Sequence, residues 1–253
     1  MPLLGLDFPP VSHVTDWPTL FGRGFLAVNK VVLLEWLATV IVFGFFWTAG
    51  RRRRVVPTGA QNLAETVIEF VQNSIILQAM GPEGMSWTPF LVTLFTFVFV
   101  CNIFEVIPVI QMPVTARIAL PMFLALIVFA SYHIVGVKRQ GALGYLRSSL
   151  VAPGVPKAIM PLVTLNLFVE FVFTKPFSLG VRLFANLLAG HLLLVTFSVL
   201  TAALFSATYI GAAIPAALLG ALYAFEVLVS VLQAFIFTML AAVYIGAAMH
   251  PEH

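Results

Sequence analysis

Long apolar runs dominate this sequence, and each contains few or no charged residues. The last run, residues 215–249, has Glu226 as its single charged side chain. Of the 253 residues, 61% are hydrophobic and 9% are charged, and the mean hydropathy is +1.05. Soluble domains carry about 25% charged residues. Because the apolar runs are continuous and do not alternate with polar residues, they predict an all-α integral membrane protein and not a β-barrel.

Five of these runs are predicted to cross the membrane. They are residues 31–50, 87–108, 120–137, 159–205 and 215–249, with a turn of small residues around Gly211 between the last two. At about 1.5 Å per residue, the stretch after Pro176 and the last helix would be roughly 45 and 50 Å long. A hydrocarbon core is about 30 Å thick, so we expect both helices to be strongly tilted or bent.

Two features of this layout have alternatives. Residues 159–174 would form a separate span if the helix broke at Lys175-Pro176, which would place the C-terminus outside; we favour five spans because this segment is barely long enough to cross. Residues 62–77 are predicted to form an amphipathic helix. It lies at the membrane surface or packs on the protein's own cytoplasmic face. Its polar side has Glu65, Glu69 and Gln72, and its apolar side has Leu63, Val67, Phe70 and Val71.

Basic residues flank the spans on one side. Arginines fill residues 51–54, Lys138 and Arg139 follow the third span, and Arg147 and Lys157 extend the same loop. The positive-inside rule then places the N-terminus outside and the C-terminus in the cytoplasm. We expect an external tail at residues 1–30 and a membrane domain at 31–253. The net charge of +3 comes from these clusters, so lipid, and not nucleic acid, is the expected environment.

Arg182 stands inside an apolar stretch, residues 176–205, that contains no carboxylate. Its guanidinium stays protonated, and placing it at membrane depth costs between about 2.5 and 10 kcal/mol or more. On a helix, one sector with small edges contains Ser178, Arg182, Ala185, Asn186 and Ala189. We expect this sector to face a partner helix. A structural ion pair with Glu170 or Glu226 is the alternative.

Further polar groups lie in the same two runs. His191 follows Arg182 by nine residues, roughly half a turn around and about 13 Å along the helix, so the two cannot serve one point site. Glu226, Ser230 and Gln233 share a face of the last helix. We expect His191 to pair with Glu226 as a proton relay, while Ser230 and Gln233 alternatively bond neighbouring helices.

Two other carboxylates have open interpretations. Glu105 lies near the outer end of its span, where it either lines an entrance or is a solvated helix end. Glu170 precedes Lys175 and either forms a structural pair or lines an exit. No phosphate-binding loop, metal motif or activated nucleophile is present, so we expect no cofactor, no metal and no catalytic site of the chain's own. Cys101, the single cysteine, is expected to be a buried structural thiol.

These residues resemble subunit a of the rotary F-type ATP synthases. Residues 178–186, Ser-Leu-Gly-Val-Arg-Leu-Phe-Ala-Asn, match the most specific motif of that family, and residues 232–237, Leu-Gln-Ala-Phe-Ile-Phe, match its second motif. The resemblance implies a proton-translocating stator subunit of an H⁺-transporting two-sector ATPase. In such a subunit two offset half-channels load and unload rotor carboxylates. It also implies a location in a bacterial-type inner membrane and three kinds of partner: a ring of c subunits, b-type peripheral stalk subunits and the rest of the ATP synthase.

The same resemblance implies that Arg182 is the essential cation, that Asn186 and Gln233 lie near it, and that His191 and Glu226 line the outer half-channel. The best-known bacterial pattern has an acid where His191 stands and a histidine where Glu226 stands, so one acid and one imidazole are kept. Two other classes of membrane protein are alternatives, and they make different predictions. A self-contained ion or anion transporter would work without a ring, and a structural scaffold would tolerate loss of Arg182, Glu226 and Gln233.

Overall fold

The computed structural model describes residues 20–22, 28–51, 55–107, 110–112, 114–150, 155–156, 159–207 and 209–249. Most of the expected external tail, residues 1–30, lies outside these ranges. So do Pro108, Lys157 and the arginines at 52–54, which the sequence analysis used.

Eight longer helices make up most of the described chain. They are α1 (Lys30–Arg51), α2 (Ala60–Val71), α3 (Thr88–Ile103), α4 (Ala119–Gln140), α5 (Ala142–Leu150), α6 (Met160–Val169), α7 (Lys175–Ala207) and α8 (Tyr209–Met249). The helical part is completed by the short turn Leu77–Ala79, the π turns Gln72–Ile76 and Glu170–Thr174, and the 3₁₀ turns Pro82–Trp87 and Val114–Ala116. Within the described ranges, β pairing is limited to one isolated bridge between Phe21 and Val28.

Five helical segments are long and apolar enough to cross a membrane, which confirms the predicted number. They are Lys30–Arg51, Pro82–Ile103, Ala119–Gln140, Met160–Phe205 and Gly211–Met249. The helices α7 and α8 have 33 and 41 residues. At about 1.5 Å per residue both are longer than a hydrocarbon core, as the sequence predicts.

The helix continues through Lys175-Pro176, so residues 159–174 are not a separate span. A proline lacks an N–H and its ring clashes with the carbonyl four residues earlier, here that of Val172. A π-helical turn, Glu170–Thr174, lies directly before the proline and joins α6 to α7. The wider π turn accommodates the proline without ending the helix, as such bulges do elsewhere.

The predicted turn around Gly211 is wrong. Both Gly211 and Pro215 lie inside α8, which is helical from Tyr209 to Met249. Alanines next to Gly211 are strong helix formers, so the cluster of small residues extends the helix instead of turning it.

The second span ends five residues earlier than the predicted residue 108, because α3 ends at Ile103. Residues 104–106 form a hydrogen-bonded turn, in which the amide of Glu105 donates to the Asn102 carbonyl at 3.2 Å. Glu105 therefore lies just beyond the helix. A proline at 108 disfavours helical conformation before it, which accounts for the early end.

The predicted amphipathic helix is present as α2 and a following π turn, Gln72–Ile76. Val71, Ile75 and Ile76 are fully buried, whereas Leu63 is 58% exposed. The ring of Phe70 packs against those of Phe95 and Phe235, at centroid distances of 5.7 and 6.0 Å. The helix therefore packs on the protein itself while part of its apolar side stays exposed.

The chain divides into two compact units, each made of three segments. The first unit contains Met1–Arg53, Thr96–Arg117 and Phe184–Ala234. The second unit contains Arg54–Phe95, Ile118–Leu183 and Phe235–His253. Each unit has its own buried residues and its own polar cavity.

Candidate functional site

The sector that the sequence predicts around Arg182 is exposed on the chain. Ser178, Arg182, Ala185, Asn186 and Ala189 are all exposed, while Leu179, Leu183 and Leu187 on the other side of α7 are at most 2% exposed. The leucines fix the rotation of the helix because they bury its apolar side. Within the second unit, Arg182 has no carboxylate partner among the described residues, since Glu170 pairs instead with Lys175 at 3.8 Å.

Gly180 sets how closely α7 approaches α4 beside Arg182. A Cβ atom built on Gly180 would lie 2.5 Å from Met122 Sδ and 3.3 Å from Met122 Cα. The sulfur could move aside, but the tight contact with Met122 Cα could be relieved only by a small shift of the backbone. The glycine therefore permits a helix contact one half-turn before the arginine.

The first unit brings His191 and Glu105 together. His191 Nδ1 lies 3.5 Å from Glu105 Oε1, and the two side chains are 10% and 0% exposed. Burial raises the pKa of the Glu105 carboxyl above its ordinary value, and the neighbouring His191 opposes that rise. The pair is suited to exchanging a proton between a carboxyl and an imidazole.

The predicted pairing of His191 with Glu226 is replaced by this contact. The carboxylate of Glu226 lies against Gly190, whose missing side chain provides the space: a Cβ there would be 2.7 Å from the carboxylate carbon. Glu226 is 2% exposed, and its Oε2 has no hydrogen-bond partner in the protein. Because Gly190 has no side chain, the Glu226 carboxyl group fits against the backbone directly before His191.

Ser230 and Gln233 continue the buried polar face of α8. Ser230 is fully buried and Gln233 is 5% exposed. The Ser230 hydroxyl and the Gln233 amide nitrogen form no hydrogen bond within the protein, so they do not tie α8 to a neighbouring helix. Such groups cost roughly 1–3 kcal/mol each when unsatisfied, which favours a role in which they meet water or a mobile proton.

A cavity of about 160 Å³ opens beside the Glu105 and His191 pair. Its other polar lining comes from Gln111, Ser198 and Tyr223. The cavity is large enough for several waters, each of which occupies about 30 Å³. Glu105 therefore lines a cavity and is not a solvated helix end.

The second unit has a separate cavity of about 240 Å³ that contains Glu170 and Lys175. Three tyrosines, Tyr132, Tyr145 and Tyr244, add hydroxyls to its wall. Lys175 Nζ lies 5.8 Å from the centroid of the Tyr244 ring, a cation–π distance. Burial raises the pKa of Tyr145 to about 12, with a hydrogen bond to Ser149 opposing the shift.

The sequence analysis missed these tyrosines. A signal was present for Tyr244, which follows Gln233 by eleven residues, three helical turns, and so shares its face of α8. Tyr132 and Tyr145 gave no comparable signal, because their positions depend on how α4 and α5 pack.

As for a metal, the described residues contain no group of three or more His, Cys, Asp or Glu side chains that could hold one.

Comparison with known proteins agrees with the two sequence motifs. The family model for the ATP synthase A chain matches residues 32–246. Proteins called ATP synthase subunit a from Frankia alni, Streptomyces lividans and Rhodococcus erythropolis are 39%, 36% and 38% identical. The alignments cover 96%, 98% and 97% of this chain and 87%, 90% and 89% of those proteins. The chain therefore belongs to the ATP synthase subunit a family.

Proposed function

We propose that this chain is the stator subunit of the ATP synthase proton channel, with Arg182 as the cation that meets the rotor carboxylates. The observation that carries this proposal is the exposure of Arg182 on a face of small residues, next to the fully buried Leu183. A permanently charged group on an apolar helix face requires a partner that supplies a negative charge.

The charge of Arg182 determines which state of a rotor site can enter the interface. A protonated rotor carboxyl can face lipid at modest cost, whereas an ionised one needs a cation opposite it. Arg182 makes the ionised site tolerable and repels a free proton. Protons therefore travel with the ring, and their flow is coupled to rotation. Each charge that crosses 100 mV contributes about 2.3 kcal/mol.

The cavity of the first unit supplies one half-channel in this proposal. Protons enter at Glu105 and His191, which lie 3.5 Å apart, and continue along the buried polar face of α8. That face contains Glu226, Ser230 and Gln233, and Asn186 on α7 belongs to the same route. The lack of protein hydrogen bonds at Ser230 Oγ and Gln233 Nε2 leaves both free to bond water.

The cavity of the second unit supplies the other half-channel. Its wall contains Glu170, Lys175 and Tyr244, and Tyr244 also lies in the electrostatic field of Arg182. Ser178, exposed one turn before Arg182, belongs to this side. Because Glu170 is half-exposed, its pair with Lys175 contributes little stability, which leaves the carboxylate available to water.

Partners and orientation follow from the same assignment. The exposed face of α7 fits a ring of c subunits, and b-type stalk subunits hold the stator against it. Arg51 ends α1, and Lys138 and Arg139 are exposed in the last turn of α4. Positive charge at these ends supports an external N-terminus and a cytoplasmic C-terminus in a multi-pass inner-membrane protein.

The decisive experiment measures ATP-driven proton pumping in inverted vesicles that contain the assembled complex. Arg182→Ala and Arg182→Lys should abolish or strongly reduce pumping, because lysine presents a point charge in place of a planar fork. Arg139→Ala is the control, since Arg139 is exposed and forms only a 3.5 Å surface pair with Glu83. Coupled pumping by Arg182→Ala at the control rate would remove the proposed role.

A self-contained transporter is the alternative that this experiment must separate. It predicts that the purified chain conducts protons in liposomes without a ring, and that Arg182 binds an anion there. The stator assignment predicts no conduction above that of empty liposomes. Both preparations use the full chain, so the comparison does not depend on a fragment.

A further inference from the structure

Gln111 and Tyr223 bridge the cavity of the first unit. Gln111 Nε2 donates a hydrogen bond to the Tyr223 hydroxyl at 3.2 Å, across 112 positions of sequence. Both residues line the cavity that also contains Glu105 and His191. Gln111 is exposed, whereas Glu105 and His191 are 1% and 8% exposed. The bridge therefore lies on the solvent side of the buried pair.

The backbone of Gln111 is held in an unfavourable conformation. Its φ of 41° is the one positive value at a non-glycine residue in the described part of the chain. A side chain with a Cβ rarely adopts this region, and such strain persists only where the surroundings impose it.

Two hydrogen bonds impose that conformation. The Gln111 amide donates to the Ile107 carbonyl at 2.9 Å. Lys30 Nζ donates to the Ile110 carbonyl, directly before Gln111, at 3.4 Å. Both bonds are made by the peptide group that joins Ile110 to Gln111, so the backbone is held on the N-terminal side of the residue whose side chain reaches Tyr223. Strain of this kind at a cavity is a reason to expect a functional contact.

We propose that the Gln111–Tyr223 hydrogen bond is a latch that limits the access of water and hydrated ions to Glu105 and His191. The proposal rests on the proposed function, in which this cavity begins a proton half-channel. A single neutral hydrogen bond between solvent-exposed groups competes with water and opens readily. The latch therefore admits single waters and their protons, while it slows the passage of larger solutes.

A cysteine reporter tests this latch in the assembled complex. Ser198 lines the same cavity and lies seven residues, two helical turns, after His191 on α7. Ser198→Cys is a conservative exchange. The natural Cys101 is fully buried, and the parent chain without the reporter measures its background. The rate of reaction with a membrane-impermeant thiol reagent is measured in right-side-out and inverted vesicles.

Removing either half of the latch should raise the labelling rate of Ser198→Cys by about two- to tenfold, the range expected for loss of one neutral hydrogen bond. Tyr223→Phe removes only the hydroxyl. Gln111→Gly removes the amide and also relieves the strained φ. The two changes together should give no further increase, because both break the same bond. Thr66→Val removes an exposed hydroxyl in the second unit that lines neither cavity, and it should leave the rate unchanged.

Different failures have different meanings. Equal rates with and without the latch residues would overturn the latch and leave the half-channel assignment intact. Independent, multiplying effects of Tyr223→Phe and Gln111→Gly would also overturn it, since they would show no shared bond. If the reporter reacts from neither side in any variant, the cavity is not an aqueous route, and both the latch and the role of this cavity in the proposed function are wrong.

Discussion

The carboxylate of Glu226 occupies the space directly over the backbone of Gly190, where a Cβ atom would lie 2.7 Å from the carboxylate carbon. Gly190 is thus a required neighbour of a buried acid and immediately precedes His191. The position of the acid depends on a residue that has no side chain and no charge. This relationship leads to the first prediction.

Gly190→Ala should reduce ATP-driven proton pumping although no polar group is removed. An overpacked contact costs about 1–3 kcal/mol, and the Glu226 carboxylate must move to relieve it. If the displacement adds about 1.4 kcal/mol to proton transfer, pumping falls about tenfold. The measurement is the initial pumping rate per assembled complex in inverted vesicles.

Gly44→Ala provides the matched control for that change. Gly44 lies in α1, and a Cβ there would meet nothing within 4 Å. Alanine is about 0.5–1 kcal/mol more favourable than glycine inside a helix, so this variant should pump normally. Equal pumping by the two alanine variants would show that the position of the Glu226 carboxyl group against Gly190 does not matter for function.

Glu105→Gln should make the protein more stable at higher pH while it lowers proton pumping. The ordinary pKa of a glutamate is about 4.3, and burial raises that of Glu105 in the native state. The wild type therefore loses stability as the pH rises from the ordinary value through the raised one, and glutamine, which does not titrate, avoids this loss. Pumping should fall about tenfold or more, because a proton-exchanging group is gone.

Heat stability and proton pumping, each measured at pH 5 and pH 8, check the predicted gain in stability and the predicted loss of pumping. The fraction of complex that remains assembled after heating should be higher for Glu105→Gln than for the wild type. This difference should be larger at pH 8 than at pH 5. Pumping should be lower than in the wild type at both values and should depend less on pH. A variant that is less heat-stable than the wild type at pH 8 would contradict the argument from burial.

The sequence was sufficient for the number of spans and for the exposed face around Arg182, because both depend on local pattern. Apolar length predicts a span, and a spacing of 3.6 residues predicts a helix face. The contact of His191 with Glu105 was not predicted, for a different reason. Helical spacing shows which residues share a face but not which neighbouring element lies opposite. Glu105 reaches His191 from a turn whose position depends on packing.

The helical state of residues 211–215 shows a second limit. Gly211 and Pro215 normally indicate a break, yet both lie inside α8. Conversely, Pro176 remains within a continuous helical segment because a π turn precedes it. Neither outcome can be read from residue preferences, since tertiary packing outweighs differences of about 1 kcal/mol per residue.

Gly180→Ala should lower ATP-driven proton pumping, because it changes the position of Arg182 while the charge of Arg182 stays the same. The new Cβ would lie 2.5 Å from Met122 Sδ and 3.3 Å from Met122 Cα, so the Met122 side chain must move and the two backbones must separate by a few tenths of an ångström. Met122→Ala removes the sulfur contact but not the backbone contact. We therefore expect the double variant Gly180→Ala/Met122→Ala to recover only part of the pumping that Gly180→Ala loses. A double-mutant cycle of pumping rates measures this coupling, and strict additivity would show that the two residues do not act through one contact.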